Sequence, residues 1–193
     1  MKSVAEILRS YAEFDGNGRH CNGTDKQSNH NYGNAYEKLI WNNFANGPTH
    51  PRNTVKLMME VGVADGSCLR AWREIFPNAL IVGMDIHHSD KAHGERIEFW
   101  HGDQRSKEDC ETAAAGRQFD MIVEDATHKL ENTLLTLLYL WPFVKSGGLY
   151  IVEEFDNVGA LRANITALWP NARVIDTQGP FGGIEPLVAL RKT

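Results

Sequence analysis

The chain has 193 residues, enough for one domain with a full core, and its 42% hydrophobic and 23% charged content is that of a globular protein. A formal net charge of -5 argues against a broad nucleic-acid footprint. The longest apolar run, residues 134–144, is too short to span a bilayer and contains Thr136 and Pro142. Three cysteines, Cys21, Cys68 and Cys110, are odd in number and widely spaced. They form no disulfide framework or metal pair, which favours a reducing cytosol and a cytoplasmic protein.

Taken in order, residues 1–9 are interrupted by Glu6 and Arg9 and read as a short amphipathic helix rather than a signal peptide. Ala5, Leu8, Tyr11 and Ala12 fit one helical face, and Asp15, Gly16, Asn17 and Gly18 break it. Residues 23–36 are polar, with His30, Tyr32 and Tyr36 interleaved. They read either as a loop lining a site or as a solvated connector. A helix over 35–44 follows, and Pro48 and Pro51 mark the join to the core. Residues 1–54 are thus expected to form an N-terminal cap or lid, and 55–193 the core.

Residues 55–61 are mostly apolar apart from Lys56 and Glu60, and read as a buried parallel strand. Gly62 and Gly66 permit a tight turn, and Ser67 is placed to cap a helix over 69–75. A ligand can lie over this turn against helix N–H groups. The spacing is not the Gly-x-Gly-x-x-Gly of dinucleotide binding, and the acid Glu60 at the strand end would repel a pyrophosphate. The pattern resembles motif I of the class I S-adenosylmethionine methyltransferases, whose acid and glycines accommodate the cationic methionine end of the cofactor.

A second strand over 79–85 ends in Asp85, about twenty residues past the turn, where an acid suits two ribose hydroxyls. A third strand, 97–100, leads to Asp103, which either accepts from an adenine amino group or caps the next helix. His87 and His88 are assigned no metal and allowed ribose-side contacts. A fourth strand over 119–124 is followed by Asp125 and His128, then a helix over 129–144. Ser146, Gly147 and Gly148 turn the chain into a fifth strand, 149–152, ending in Glu153 and Glu154. A helix over 158–169 and short strands at 172–175 and 187–190, around the glycine-rich loop 179–183, complete the pattern. Trp100, Trp141 and Trp169 are expected in the core.

Alternating strands and helices predict a doubly wound α/β sheet, mostly parallel and seven-stranded, with a short helical N-terminal cap. Ligands in such sheets bind at the carboxyl ends of the strands. Asp65, Asp85, Asp103, Asp125, His128, Glu153 and Glu154 all fall at or just past such ends, which makes them one candidate site.

Beyond motif I, the sequence resembles the metal-dependent sugar O-methyltransferases of the mycinamicin and macrocin type, which methylate deoxysugar hydroxyls on macrolides. The matching residues include Gly23 to Lys26, Glu60 to Ser67, Trp72 to Asn78, Val82 to Asp85, Asp125 to His128 and Leu140 to Glu154. The resemblance implies S-adenosylmethionine held by Glu60, Gly62, Ser67, Asp85 and Asp103. It implies a divalent metal on Asp125, Glu153 and Glu154, and His128 as general base. The family usually has Asp-Asp-Gly-Ser-His where this chain has Glu124, Asp125, Ala126, Thr127 and His128, and Glu-Asp where it has Glu153 and Glu154. Asp156 and Asn157 are the nearby alternative ligands.

The chemistry agrees with that set. An alcohol is a poor nucleophile while protonated, so a base near its proton and a cation near its oxygen both help. Three converging carboxylates repel one another unless a cation sits between them, and all-oxygen ligation suits magnesium. Thr24, Lys26, His30, Tyr32 and Tyr36 are assigned to the acceptor, a sugar or other polyhydroxylated small molecule. No nucleic acid or membrane partner is expected, and a homo-oligomer is left open. The competing readings are a catechol-type O-methyltransferase, a nicotinamide-dependent oxidoreductase and a non-catalytic cofactor-binding module.

Overall fold

The structure, a computed structural model, describes residues 1–14, 17, 20–45, 47–89, 92–155, 157–176 and 187–193. The expected break at Asp15, Gly16 and Gly18, the loop 179–183 and the alternative ligand Asp156 lie outside the described residues.

Helix α1 (Val4–Ser10) opens on a capping box: the Glu6 N–H donates to the Ser3 hydroxyl, and the Ser3 N–H donates to the Glu6 carboxylate. It ends at Tyr11, so Ala12 is not on its face but starts strand β1 (Ala12–Phe14), antiparallel to β2 (His20–Gly23). Strands this short carry too few residues for an alternating signal, which is why the hairpin is absent from the sequence reading. Helices α2 (Gly33–Phe44) and α3 (Pro51–Thr54) lead into the main sheet.

That sheet holds β3 (Leu57–Val61), β4 (Leu80–Asp85), β5 (Ile97–His101), β6 (Phe119–Glu124), β7 (Val144–Val152), β8 (Ala172–Asp176) and β9 (Val188–Lys192). Its order is β5-β4-β3-β6-β7-β9-β8, and β9 runs antiparallel to both neighbours. The expected seven-stranded, mostly parallel sheet is therefore present. Helices α4 (Ser67–Ile75), α5 (Lys107–Ala114), α6 (Leu130–Leu140) and α7 (Val158–Leu168) connect its strands.

Side-chain parity divides the core in two. Met58, Ile81, Met121, Val123, Leu149 and Ile151 face one layer, packed with α1, α2 and α4. Met59, Val82, Met84, Ile122, Tyr150 and Val152 face the other, with α5, α6 and α7. Val4, Ile7, Leu8, Leu39 and Ile40 of the N-terminal region join the first cluster, so these residues help to build the core.

Two expectations change. Strand β7 runs straight through Ser146, Gly147 and Gly148, with a register irregularity against β6 between Phe119 and Met121. Trp100 is 37% exposed, because β5 is the edge strand; Trp141 and Trp169 pack partly buried against the second cluster. Among the described residues no helix is long and apolar enough to cross a membrane.

Candidate active site

A cavity of about 540 Å³ opens at the carboxyl ends of the parallel strands. Its wall includes the turn 62–65, Asp85 to His87 past β4, Asp103 and Gln104 past β5, Asp125 to Lys129 past β6, and Glu154 past β7. Gly23 and Asp25 of the N-terminal segment close one side.

The turn is built by close approach. Gly62 has φ +88, and a Cβ there would lie 2.1 Å from the Asp125 carbonyl oxygen, so no side chain is admitted. Asp85 braces the turn: its Oδ2 accepts from the Val63 and Ala64 N–H groups at 2.7 and 3.0 Å, and its Oδ1 from the His87 N–H at 2.7 Å. Gly66, with φ +84, is the cap residue of α4, and Ser67 is its first helical residue. The Ser67 side chain is turned inward. Its hydroxyl donates to Asp65 Oδ2 at 2.9 Å and accepts from Arg70 at 2.8 Å, while its N–H donates to Asp65 Oδ1. The capping oxygen thus belongs to Asp65, and Ser67 is not on the cavity wall. Asp103 is on that wall, in a two-point pair with Arg105 that holds its carboxyl below the usual range. The cap of α5 is Ser106.

Behind the wall lies a buried charge cluster. Lys26 is fully buried, its Nζ 2.5 Å from Asp125 Oδ2, 2.6 Å from Glu153 Oε2 and 3.2 Å from Glu60 Oε1. Tyr36 donates its hydroxyl to the other oxygen of Glu153, and Trp72 Nε1 donates to Glu60 at 3.1 Å. Burial opposes the lysine charge, but Asp125 and Glu153 outweigh it and raise the ammonium pKa well above its ordinary value. Burial raises both buried acids, against the pull of Lys26, Glu60 to about 7 and Glu153 well above the carboxylate range.

This cluster sets the side chains of five assigned residues against one another. Glu60 shares the inward face of Met58 and points at α4. Glu153 keeps the face of Ile151 and meets Lys26, whereas Glu154, past the end of β7 with left-handed backbone, turns to the cavity. Lys26 and Tyr36 contact these acids, and Thr24 is buried with them. Tyr32, also fully buried, stacks on His30 with ring centroids 5.4 Å apart.

What converges on the cavity is a different set. Asp125, His128 and Glu154 offer ligand atoms within 4.8 Å of one another, and so do Asp25, His30 and Glu154. His30 Nε2 lies 2.8 Å from Glu154 Oε1 and 3.2 Å from Asp25 Oδ2. Burial alone would lower the imidazole pKa; hydrogen bonds to Asp25 and Glu154 outweigh it and raise it to about 10. The His30 bond in turn holds Glu154 below the usual carboxylate range. His128 Nε2 is 3.5 Å from Glu154 Oε2. His128 and Glu154 both have left-handed backbone, φ +56 and +51, a strained conformation that clusters at functional sites. Two carboxylates with an imidazole around one point suit a divalent cation. Asn157 is not available as an alternative ligand through its oxygen, which accepts from the Ala160 N–H as the cap of α7.

Asp25 is a wall residue that the sequence reading left unassigned, as are Gln104, Arg105 and Asn132. Its only signal there was its place between Thr24 and Lys26, which were both assigned. His87 reaches the cavity, whereas His88 packs against His93 and Phe99.

No family model matches the chain. It is 32% identical over 128 residues to demethylmacrocin O-methyltransferase of Streptomyces fradiae, covering 62% of this chain and 30% of that protein. It is 32% identical over 129 residues to mycinamicin VI 2''-O-methyltransferase of Micromonospora griseorubida, again 62% of this chain and 30% of the relative. A tetracenomycin-C rhamnosyl 2'-O-methyltransferase of Streptomyces olivaceus is 28% identical over 175 residues, 86% of this chain and 42% of that protein. The chain spans less than half the length of these curated relatives. Among solved structures, a methyltransferase of the mycinamycin biosynthetic pathway in complex with Mg and SAH aligns over 99% of this chain and 55% of its own. The TM-score is 0.77 at 20% identity. The fold is that of the class I methyltransferases.

Proposed function

We propose that this chain, a relative of the macrolide sugar O-methyltransferases with a class I methyltransferase fold, transfers a methyl group from S-adenosylmethionine to a sugar hydroxyl of a natural product. The observation that carries the reading is one cavity with two chemical ends. At one end Asp85 and the glycine turn suit a nucleoside; at the other Asp125, His128 and Glu154 suit a cation-assisted proton transfer. When bound, S-adenosylmethionine supplies the electrophilic methyl carbon, and a divalent cation held by Asp125 and Glu154 supplies charge stabilisation to the acceptor oxygen.

The chain's own residues do the rest. Asp85 fixes the turn, and with it the cofactor floor. The fixed carboxylates orient the acceptor hydroxyl, and His128, partly exposed to the cavity, takes its proton. Asp25 and Gly23 form the acceptor wall, in place of the buried Lys26 and Tyr36. On this reading residues 1–54 act as a fixed cap.

Calorimetry tests the cofactor: S-adenosylhomocysteine binds and NAD does not. A panel of glycosylated macrolides with labelled S-adenosylmethionine tests the transfer, which EDTA abolishes and magnesium restores. Asp125→Ala removes turnover. His128→Ala lowers it roughly a hundredfold to ten-thousandfold while leaving Mn2+ and cofactor binding in place. Tight NAD binding without response to the sulfonium compound would overturn the methyl-transfer reading. Near wild-type turnover of His128→Ala would remove the base.

A further inference from the structure

Helix α6 carries leucines on the side turned away from the sheet. Its buried face holds Asn132, Thr133 and Thr136 beside Leu137 and Leu140. The opposite face holds Leu134, Leu135 and Leu138, followed by Pro142 in the turn Trp141–Phe143. These positions recur at three and four residues and so form one stripe along the helix. Leu138 is 54% exposed, and Leu134 and Leu135 are partly exposed. A helix apolar on both sides is ordinarily covered on both sides. The stripe continues at its far end onto a cavity of about 300 Å³ lined by Trp141, Leu168 and Trp169.

Two charges mark the ends of the stripe. Glu131 is exposed in the first turn of α6. At the other end Lys192 donates to the carbonyls of Trp141, Pro142 and Val144 at 3.0, 3.2 and 2.7 Å, and lies over the Trp141 ring. Residues 131 and 141 are about 15 Å apart along the axis, at 1.5 Å per residue. An apolar stripe with an acid at one end and a cation at the other is complementary to an antiparallel copy of itself.

We propose that the leucine stripe of α6 is the contact surface for a second copy of this chain, with the two α6 helices crossing antiparallel about a two-fold axis. Glu131 of each copy then lies beside the partner's Lys192, at the carbonyl end of the partner's helix. With Glu131 opposite the partner's Pro142, Leu135 falls opposite the partner's Leu138, and the leucines meet at the centre. A lipid surface fits the stripe less well, because Glu131 sits within it and the chain's net charge is -5. The pairing also reaches the site. Lys129 and Asn132, at the N-terminal end of α6, line the cavity, so the partner's turn 141–143 comes to rest beside the end of the helix that carries them. The inference stands apart from the methyl-transfer reading, since it uses no cofactor, metal or acceptor.

Analytical ultracentrifugation of the chain, from roughly 1 to 100 μM, should show a monomer–dimer equilibrium. Leu138→Arg puts a charge at the centre of the contact and should weaken dimerisation at least about a hundredfold. At the lowest concentration it should melt within about 2 °C of wild type, because the side chain is exposed in the monomer. Glu131→Lys should weaken the dimer several-fold at low salt and little at high salt, as expected for a charge pair at the edge of a contact. Oxidative trapping reads the orientation. Leu135→Cys mixed with Leu138→Cys should cross-link faster than either variant alone, after subtraction of the wild-type background. A wild type that stays monomeric at roughly 100 μM would overturn the proposal, and so would a dimer indifferent to Leu138→Arg. A monomer that floats with phosphatidylcholine vesicles would give the stripe to lipid and overturn it as well. Fastest trapping of Leu138→Cys with itself would overturn the antiparallel crossing. If Leu138→Arg does not fold, Glu131→Lys and the cysteine pair decide.

Discussion

At Gly62 a single hydrogen is the condition for the site. The turn and the Asp125 carbonyl are in contact there, so Gly62→Ala must push apart the loops after β3 and β6 and also force a left-handed backbone on a residue with a Cβ. A loss of more than about 1 kcal/mol is expected in chemical denaturation, together with weakened S-adenosylhomocysteine binding, because both loops line the cavity. His30 offers a second prediction at this scale. Its folded pKa of about 10 stands above the ordinary 6.5, so its contribution is fully present below 6.5 and is lost as pH rises through about 10. Glu154 and Asp25 are lowered, so theirs is lost as pH falls through their folded values. In EDTA, the stability difference between wild type and His30→Gln should peak between the ordinary carboxyl value of 4.5 and 6.5. Its size there should be about 1.5–3 kcal/mol, as for hydrogen bonds to charged groups. A difference that grows from pH 7 to pH 10 would show that the imidazole is not held as a cation.

Among the elements, the strands were the easiest to read and the segment after β2 the hardest. Strands β4 and β6 fall within a residue of expectation, because fully buried parallel strands are short apolar runs between turn residues. Residues 24–36 look like a polar connector by composition, yet Thr24, Lys26, Tyr32 and Tyr36 are all buried. Composition misleads there because Lys26 and Tyr36 find their partners far along the chain, at Asp125 and Glu153, which local pattern does not report. Helix α5 supplies a further test. Burial pushes the Cys110 thiol up to about 12, and the residue is wholly covered by its surroundings. Iodoacetamide at pH 8, read by peptide mass mapping, should leave Cys110 unmodified in the native chain and label it in denaturant. Labelling of native Cys110 at the denatured rate would show that α5 opens from the sheet.

For the whole molecule, the sheet order settles which tips are neighbours. Strand β3 lies between β4 and β6, so the glycine turn, Asp85 and Asp125 share one rim although 63 residues separate the first from the last. Strand β7 beside β6 then brings Glu154 to the same rim. Covering both faces with helices leaves the carboxyl ends as the open side, where this cavity forms.

What the sequence determined by itself was the alternation of strands and helices, the turn at Gly62 and the placing of acids at strand ends, because hydrophobic period and glycine spacing are local quantities. Asp85, Asp125, His128 and Glu154 were legible as cavity residues for that reason. Only the tertiary structure decided which oxygens meet. Glu153 and Glu154 are adjacent and chemically alike, but the left-handed backbone at Glu154 turns it to His30 and His128 while Glu153 meets Lys26. Glu60 and Ser67 sit in the expected motif and turn inward to Trp72 and Asp65. Asp25, unremarkable in sequence, reaches the cavity because its neighbour Lys26 is anchored behind the wall. A side chain's direction and its distant partner follow from packing, and packing is a property of the whole chain.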